Sequence, residues 1–210
     1  MSSVTAKGAL GTGLGADSSC KIPFMLILAS QSPRRAELLR NAGIEFQVVP
    51  AHVPEERRNG EKPIDYVCRL AREKALAVRE RCGEDSILLG ADTVVVLEDV
   101  VLEKPSSVAD ASAMLLMLAG CTHQVMTGVC LASEKFVDVQ AEVTEVSFSS
   151  ITPEEIAAYV KSGEPMDKAG AYAIQGIASR WIASLSGCYF NVVGLPVPLV
   201  YRMLQARKLI

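Results

Sequence analysis

The chain has 210 residues, half of them hydrophobic and 21% charged, with a formal net charge of −3. That length suits one domain of ordinary size, and the composition supplies ample material for a core. The weakly acidic balance gives no field to hold a nucleic-acid duplex or an anionic membrane, so a site for phosphate must be local.

Residues 1–22 are rich in Gly, Ser, Ala and Thr and lack the apolar segment of a signal peptide and the arginines of a transit peptide. They read as a flexible extension ahead of a single domain over 23–210. Phe24 to Ala29 (FMLILA) is a buried strand by its unbroken apolar character. A turn at Ser30-Gln31 leads into a helix with Ser32 as N-cap, Pro33 in first position and Gly43 as its stop. Phe46 to Val49 gives a second strand. Pro63 opens a long helix with Val67, Leu70, Ala71, Ala75 and Val78 on one stripe, closed by Gly83. Ile87 to Leu97 is a strongly apolar strand, and Val100 to Leu102 pairs with it across Glu98-Asp99. Asp110 to Leu118 forms another helix.

Two long strands follow, Thr122 to Ala132 and Phe136 to Phe148. In the second, the alternation of Val137, Val139, Ala141 and Val143 slips to Val146 and Phe148, which predicts a bulge or bend. Thr152-Pro153-Glu154-Glu155 is a capping box for a helix that ends at Gly163. Glu164 to Gly176 (EPMDKAGAYAIQG) has neither helical nor strand period and reads as a functional or disordered loop. Arg180 to Leu185 and Tyr189 to Val193 read as closing strands, and Leu199 to Ala206 as a terminal helix. The succession of strands and helices predicts an α/β or α+β domain.

Six cysteines contain no C-x-x-C pair, and only His52 and His123 are available beside them, which argues against a zinc knuckle. Such scattered cysteines read as reduced thiols of an intracellular protein, and no apolar run reaches membrane-spanning length. A cytoplasmic location is the default expectation.

Four places break the folding pattern. Arg34-Arg35 occupy the first turn of a helix, where the macrodipole disfavours cations and the Thr152 helix carries Glu154 and Glu155 instead. An anion between the arginines and the free amides would resolve this, and so would both side chains bending outward to pair with acids. Asp92 interrupts the strand ILLGADTVVVL; a buried carboxylate needs a cation, a metal or several donors, unless it lies at an exposed strand end in a local turn. Lys74 falls on the apolar stripe of its helix, either snorkelling to water or reaching a phosphate. The loop carries Asp167, Lys168 and Gln175, whose amide suits a nucleobase edge. Glu55 and Glu56 add a carboxylate pair that can share a metal with Asp92, or lie solvated at the surface.

The segments LASQSPRRAELL, LAREKA, GADTVVVL, LEKP, THQVMTGV, GEPMDKAGAYAIQG and NVVGLP stand in this order from Met25 onward. Through them the chain resembles the Maf family of nucleotide pyrophosphatases over nearly its whole length. The resemblance implies a mixed α/β (α+β) fold of the Maf/inosine-triphosphatase-like kind: a mixed twisted sheet with flanking helices and a cleft between two lobes. It implies Asp92 as proton acceptor and Arg34, Thr93 and Gln175 at positions tied to substrate choice. Arg35, Lys74, Lys104 and Glu55 correspond to other polar residues of the cleft, and Ser32, at the start of the arginine-bearing helix, is a further substrate-binding candidate. The intact DKAGAYAIQG segment is similar to the branch acting on dTTP and UTP, although Ala173 stands where many relatives carry Gly. A divalent cation, Mg²⁺ or Mn²⁺, held by Asp92 and Glu55, and a nucleoside triphosphate substrate are expected, without nucleic acid or membrane partners, and a homodimer by analogy. The reaction expected is water attack at the α-phosphorus, giving monophosphate and pyrophosphate. The alternatives are a non-catalytic nucleotide-binding regulator of cell division and a phosphatase that removes only the terminal phosphate.

Overall fold

The computed structural model describes residues 24–210, and the stretch 1–22 read as an extension lies outside them. The apolar run after Phe24 forms β1 (Met25–Leu28), followed by α1 (Pro33–Asn41). Gly43 ends this helix at φ 69°, where its own N–H and that of Ile44 return to the carbonyls of Arg40 and Leu39. The succeeding elements are β2 (Gln47–Val48), α2 (Pro63–Ala77), β3 (Ser86–Leu97), β4 (Val100–Leu102), α3 (Val108–Leu118), β5 (Thr122–Ala132), β6 (Val137–Phe148), α4 (Pro153–Lys161), β7 (Ile182–Ser186), α5 (Tyr189–Val193) and α6 (Val197–Ala206). This is the mixed α/β architecture the sequence predicts.

One seven-stranded sheet runs in the order β2-β1-β3-β5-β6-β7, with β4 also on β3. β1 is parallel to β2 and β3, whereas all other pairs are antiparallel. β3 pairs with β5 continuously from Leu88 to Val96. Its other edge is shared: β1 takes Ser86 to Leu89 and β4 takes Val95 to Leu97. Gly90 to Val94 therefore have a strand on one side only, which leaves a gap in the sheet.

α2 covers one face of the sheet. Its backbone lies so close that a Cβ on Gly90 would stand 2.1 Å from the Ala71 carbonyl oxygen, and one on Gly128 2.2 Å from that of Val67. The opposite face carries two cores. Leu89, Ala91, Val129 and Leu131 pack under α1 and α6, whereas Val95, Val125, Val146 and Phe148 pack under α3 and α4. Thr93 of β3 and its cross-strand partner Thr127 of β5 stand where one core stops and the other starts.

Two expectations require correction. Tyr189 to Val193 is a short helix rather than a strand, because Asn191 is fully buried there and its amide donates to the Val125 carbonyl and the Thr144 hydroxyl. β6 has no bulge against β5, with which it pairs in unbroken register. Its alternation slips because the covered face changes along the strand: Val139 faces α2, while Thr144, Val146 and Phe148 are buried on the other side. The irregularity lies at Ser147/Phe148, against β7.

Candidate active site

A cleft of about 800 Å³ opens where the two cores part and where the sheet edge is interrupted. Ser32, Arg34, Arg35, Glu55, Lys74, Asp92, Thr93, Lys104 and Gln175 all line it. The start of α1 and the Asp92 carboxylate thus share one cavity.

Asp92 follows Gly90 by two residues and so projects toward α2, whose close approach brings Lys74 to it. The Lys74 ammonium donates to Asp92 Oδ1 at 2.6 Å and lies 2.5 Å from Glu55 Oε1. Both Lys74 and Asp92 are buried, at 8% and 6% exposure, so each neutralises the cost of the other. Glu55 comes from an irregular segment, and its backbone carbonyl accepts from the Tyr66 hydroxyl at 3.0 Å. Partial burial raises the Glu55 carboxyl, but hydrogen bonding and attraction from Lys74 outweigh that and hold it below the usual range. Lys104 stands 4.0 Å from the other Glu55 oxygen, with most of its side chain in water.

On the opposite side of β3, Arg35 fills the gap in the sheet. Its Nη1 donates to the carbonyl of Ala91 at 2.8 Å, replacing the strand that is missing there, and to Ser30 Oγ. Nε donates to the carbonyl of Gly194 at 2.7 Å, and Nη2 to Thr93 Oγ1 at 3.0 Å. All four acceptors are neutral, so the guanidinium is fixed in place with no carboxylate bonded to it. Burial pulls its pKa down, with Asp92 and Glu55 pulling the other way. Thr93 Oγ1 stands 2.9 Å from Thr127 Oγ1.

Arg34 behaves differently. It crosses the cleft mouth to donate to Asp167 Oδ2 at 3.0 Å. The first turn of α1 carries no acid, and Ser32 forms no side-chain cap. Pro33 has no N–H and that of Ser32 donates to Ser30 Oγ at 3.2 Å, so the amides of Arg34 and Arg35 are the ones left to an anion, with the Arg34 side chain beside them. Gln175 lies exposed on the far wall.

Sequence reasoning overlooked Glu103, which accepts from the Tyr66 hydroxyl at 2.6 Å, and the buried polar set Thr127, Thr144 and Asn191. Thr127 was visible in principle: it interrupts the inward series Val125, Val129, Leu131 with a hydroxyl. Asn191 had no such signal, because it lies in a segment whose aromatic and β-branched neighbours suit a strand.

Among the described residues, no three His, Cys, Asp or Glu side chains cluster as a metal cage. The convergence of Asp92 and Glu55 on one ammonium nonetheless fits a cation that arrives with phosphate, since Mg²⁺ in such sites takes only one or two carboxylates.

A family model described as Maf-like protein matches residues 25–207. A dTTP/UTP pyrophosphatase of Koribacter versatilis (strain Ellin345) is 56% identical over 180 residues, covering 86% of this chain and 93% of that protein. One from Vibrio cholerae serotype O1 is 48% identical over 172 residues, or 82% and 92% of the two chains. Another, from Shigella sonnei, is 48% identical over 180 residues, or 86% and 91%.

Proposed function

The chain belongs to the Maf family, and on that premise we propose that it is a nucleoside-triphosphate pyrophosphatase acting on dTTP and UTP. The observation that carries this is the single cleft holding both an anion-binding helix start and a buried carboxylate. The relatives named dTTP/UTP pyrophosphatase support the pyrimidine preference.

The triphosphate tail lies against the free amides of α1, with Arg34 released from Asp167 to meet it. Arg35, fixed by neutral acceptors, supplies a positive field where charge builds on the departing pyrophosphate. Asp92 accepts the proton of the attacking water, with the Lys74 ammonium bonded to its Oδ1. Asp92 and Glu55 would hold a divalent cation, Mg²⁺ or Mn²⁺, which would neutralise phosphate charge and acidify water. Lys104 at the cleft rim attracts the polyphosphate, and Thr93 and Gln175 line the part left for the nucleoside. The nucleotide pool is taken to be cytoplasmic and the assembly a homodimer by analogy; no described helix is long and apolar enough to cross a membrane.

Product analysis tests the proposal. Purified protein with Mg²⁺ or Mn²⁺ and a panel of triphosphates should release pyrophosphate, fastest from dTTP and UTP. Orthophosphate alone would mean terminal-phosphate cleavage, and binding without turnover would mean a nucleotide sensor.

A further inference from the structure

Gln175 stands at the tip of a short turn, closed by the Gly176 N–H donating to the Ala173 carbonyl at 3.1 Å. The residues on either side of that turn are each held by a polar contact that the proposed chemistry does not use. On the near side is Tyr172, 5% exposed, whose hydroxyl lies 2.8 Å from Nε2 of His123 on β5. His123, Phe148 and Tyr172 form a cluster of edge-to-face rings. On the far side is Ile177, whose backbone N–H donates to the Glu164 carboxylate at 3.0 Å; Glu164 also accepts from the Tyr159 hydroxyl. Gly176 rests directly on that carboxylate, for a Cβ there would stand 2.0 Å from Glu164 Oε1.

The His123 contact is physically expensive. Its ring is 2% exposed, and among the described residues Nδ1 has no hydrogen-bond partner. A polar pair left half-satisfied inside an aromatic cluster serves stability worse than an apolar pair of the same shape would. Position, not stability, is what such a pair supplies: it fixes how far Tyr172 is drawn into the lobe and hence where the next three residues emerge. Glu164 does the same from the other side. Ala171, just ahead of Tyr172, sits at φ 59°, and Gly170 is wedged against Val95, so the near side has little freedom to relax elsewhere.

We propose that His123 and Glu164 are positioning residues that set the stance of Gln175, through Tyr172 and Ile177, and thereby the choice of base. The proposal rests on the pyrimidine-pyrophosphatase reading above. Its test is a pair of double-mutant cycles, combining Tyr172→Phe or Glu164→Met, which is near-isosteric and has no oxygen acceptor, with Gln175→Ala. Full-length enzyme is assayed on UTP and on a purine triphosphate. Each conservative change should lower the UTP-to-purine ratio of kcat/KM by about fivefold, the size of one lost hydrogen bond, acting mainly on KM. In the Gln175→Ala background neither change should lower the ratio further. Tyr172→Phe also strips His123 Nε2 of its partner, so some loss of stability is expected, and the substrate ratio rather than the melting temperature is what decides.

Additive effects in the cycles, or an unchanged ratio in active variants, would overturn the proposal. Should one variant fail to fold, the other cycle decides. A parent enzyme that releases no pyrophosphate from UTP would overturn the functional reading, and this proposal with it.

Discussion

At the residue scale, Asp92 and Lys74 answer each other's departure from pattern. A carboxylate on an apolar strand and an ammonium on an apolar helix stripe would each be costly alone, and 2.6 Å apart they are mutually neutral. Asp92→Asn keeps the shape of the side chain and leaves Lys74 its contact with Glu55. Turnover should therefore fall by about a hundredfold or more, while the melting temperature shifts by no more than about 5 °C. Near-normal kcat would remove Asp92 from the chemistry. Both residues were legible because each interrupts an apolar pattern, a continuous strand run at Asp92 and a helix stripe at Lys74. The arginine pair was legible as a pair, but not in its division of labour. Arg35 substitutes for a missing strand at the Ala91 carbonyl, and Arg34 bridges to a loop 133 residues away. Neither partner is implied by anything near Arg34-Arg35 in the chain.

At the scale of elements, the placement of Lys74 depends on how closely α2 can lie on β3 and β5. Gly90 and Gly128 set that distance, since each faces helix backbone where a methyl group would overlap. Gly90→Ala would push Ala71 and Ala75 away from the strand and carry Lys74 with them. Overpacking against backbone, which cannot change rotamer, should cost about 3 kcal/mol or more in urea denaturation. Gly83→Ala is the control: its nearest neighbour would be Ser86 Oγ at 3.9 Å, so a change within about 0.5 kcal/mol is expected. Equal stability of the two variants would show that α2 does not need the close approach. Nothing in the sequence shows what Gly90 does, because a helix's distance from a strand is a tertiary quantity. Element identity was plainer where the signal was strong, as in the capping box of Thr152 and Glu155, which forms as expected. It failed at α5, where the buried amide of Asn191 overrides local preference.

At the scale of the whole molecule, the sheet joins two cores that part at Thr93 and Thr127, and its pH response follows from which groups each region buries. The existence of a cleft between lobes was legible through the family motifs, but the sheet order that opens the gap at Gly90 to Val94 was not. Strand order depends on which edges meet in space, and β1 and β4 share an edge of β3 without being neighbours in sequence. His123 lies inside the α3–α4 core, where burial lowers its pKa from 6.5 to about 4. Between those values the unfolded chain binds a proton that the folded chain refuses. Stability should thus be undiminished above pH 6.5 and fall steadily toward pH 4, by roughly 3 kcal/mol in all. Glu61, gripped by both arms of Arg69, has its carboxyl drawn from 4.5 to about 2, chiefly by that hydrogen bond. Its contribution is complete above pH 4.5 and is lost as the pH falls toward 2, so the two windows scarcely overlap. His123→Gln should flatten the fall in urea midpoint between about pH 6.5 and 4.5 and leave the decline below that range in place. If the variant keeps the parent's full slope above pH 4.5, the buried imidazole is not what makes the protein acid-sensitive there.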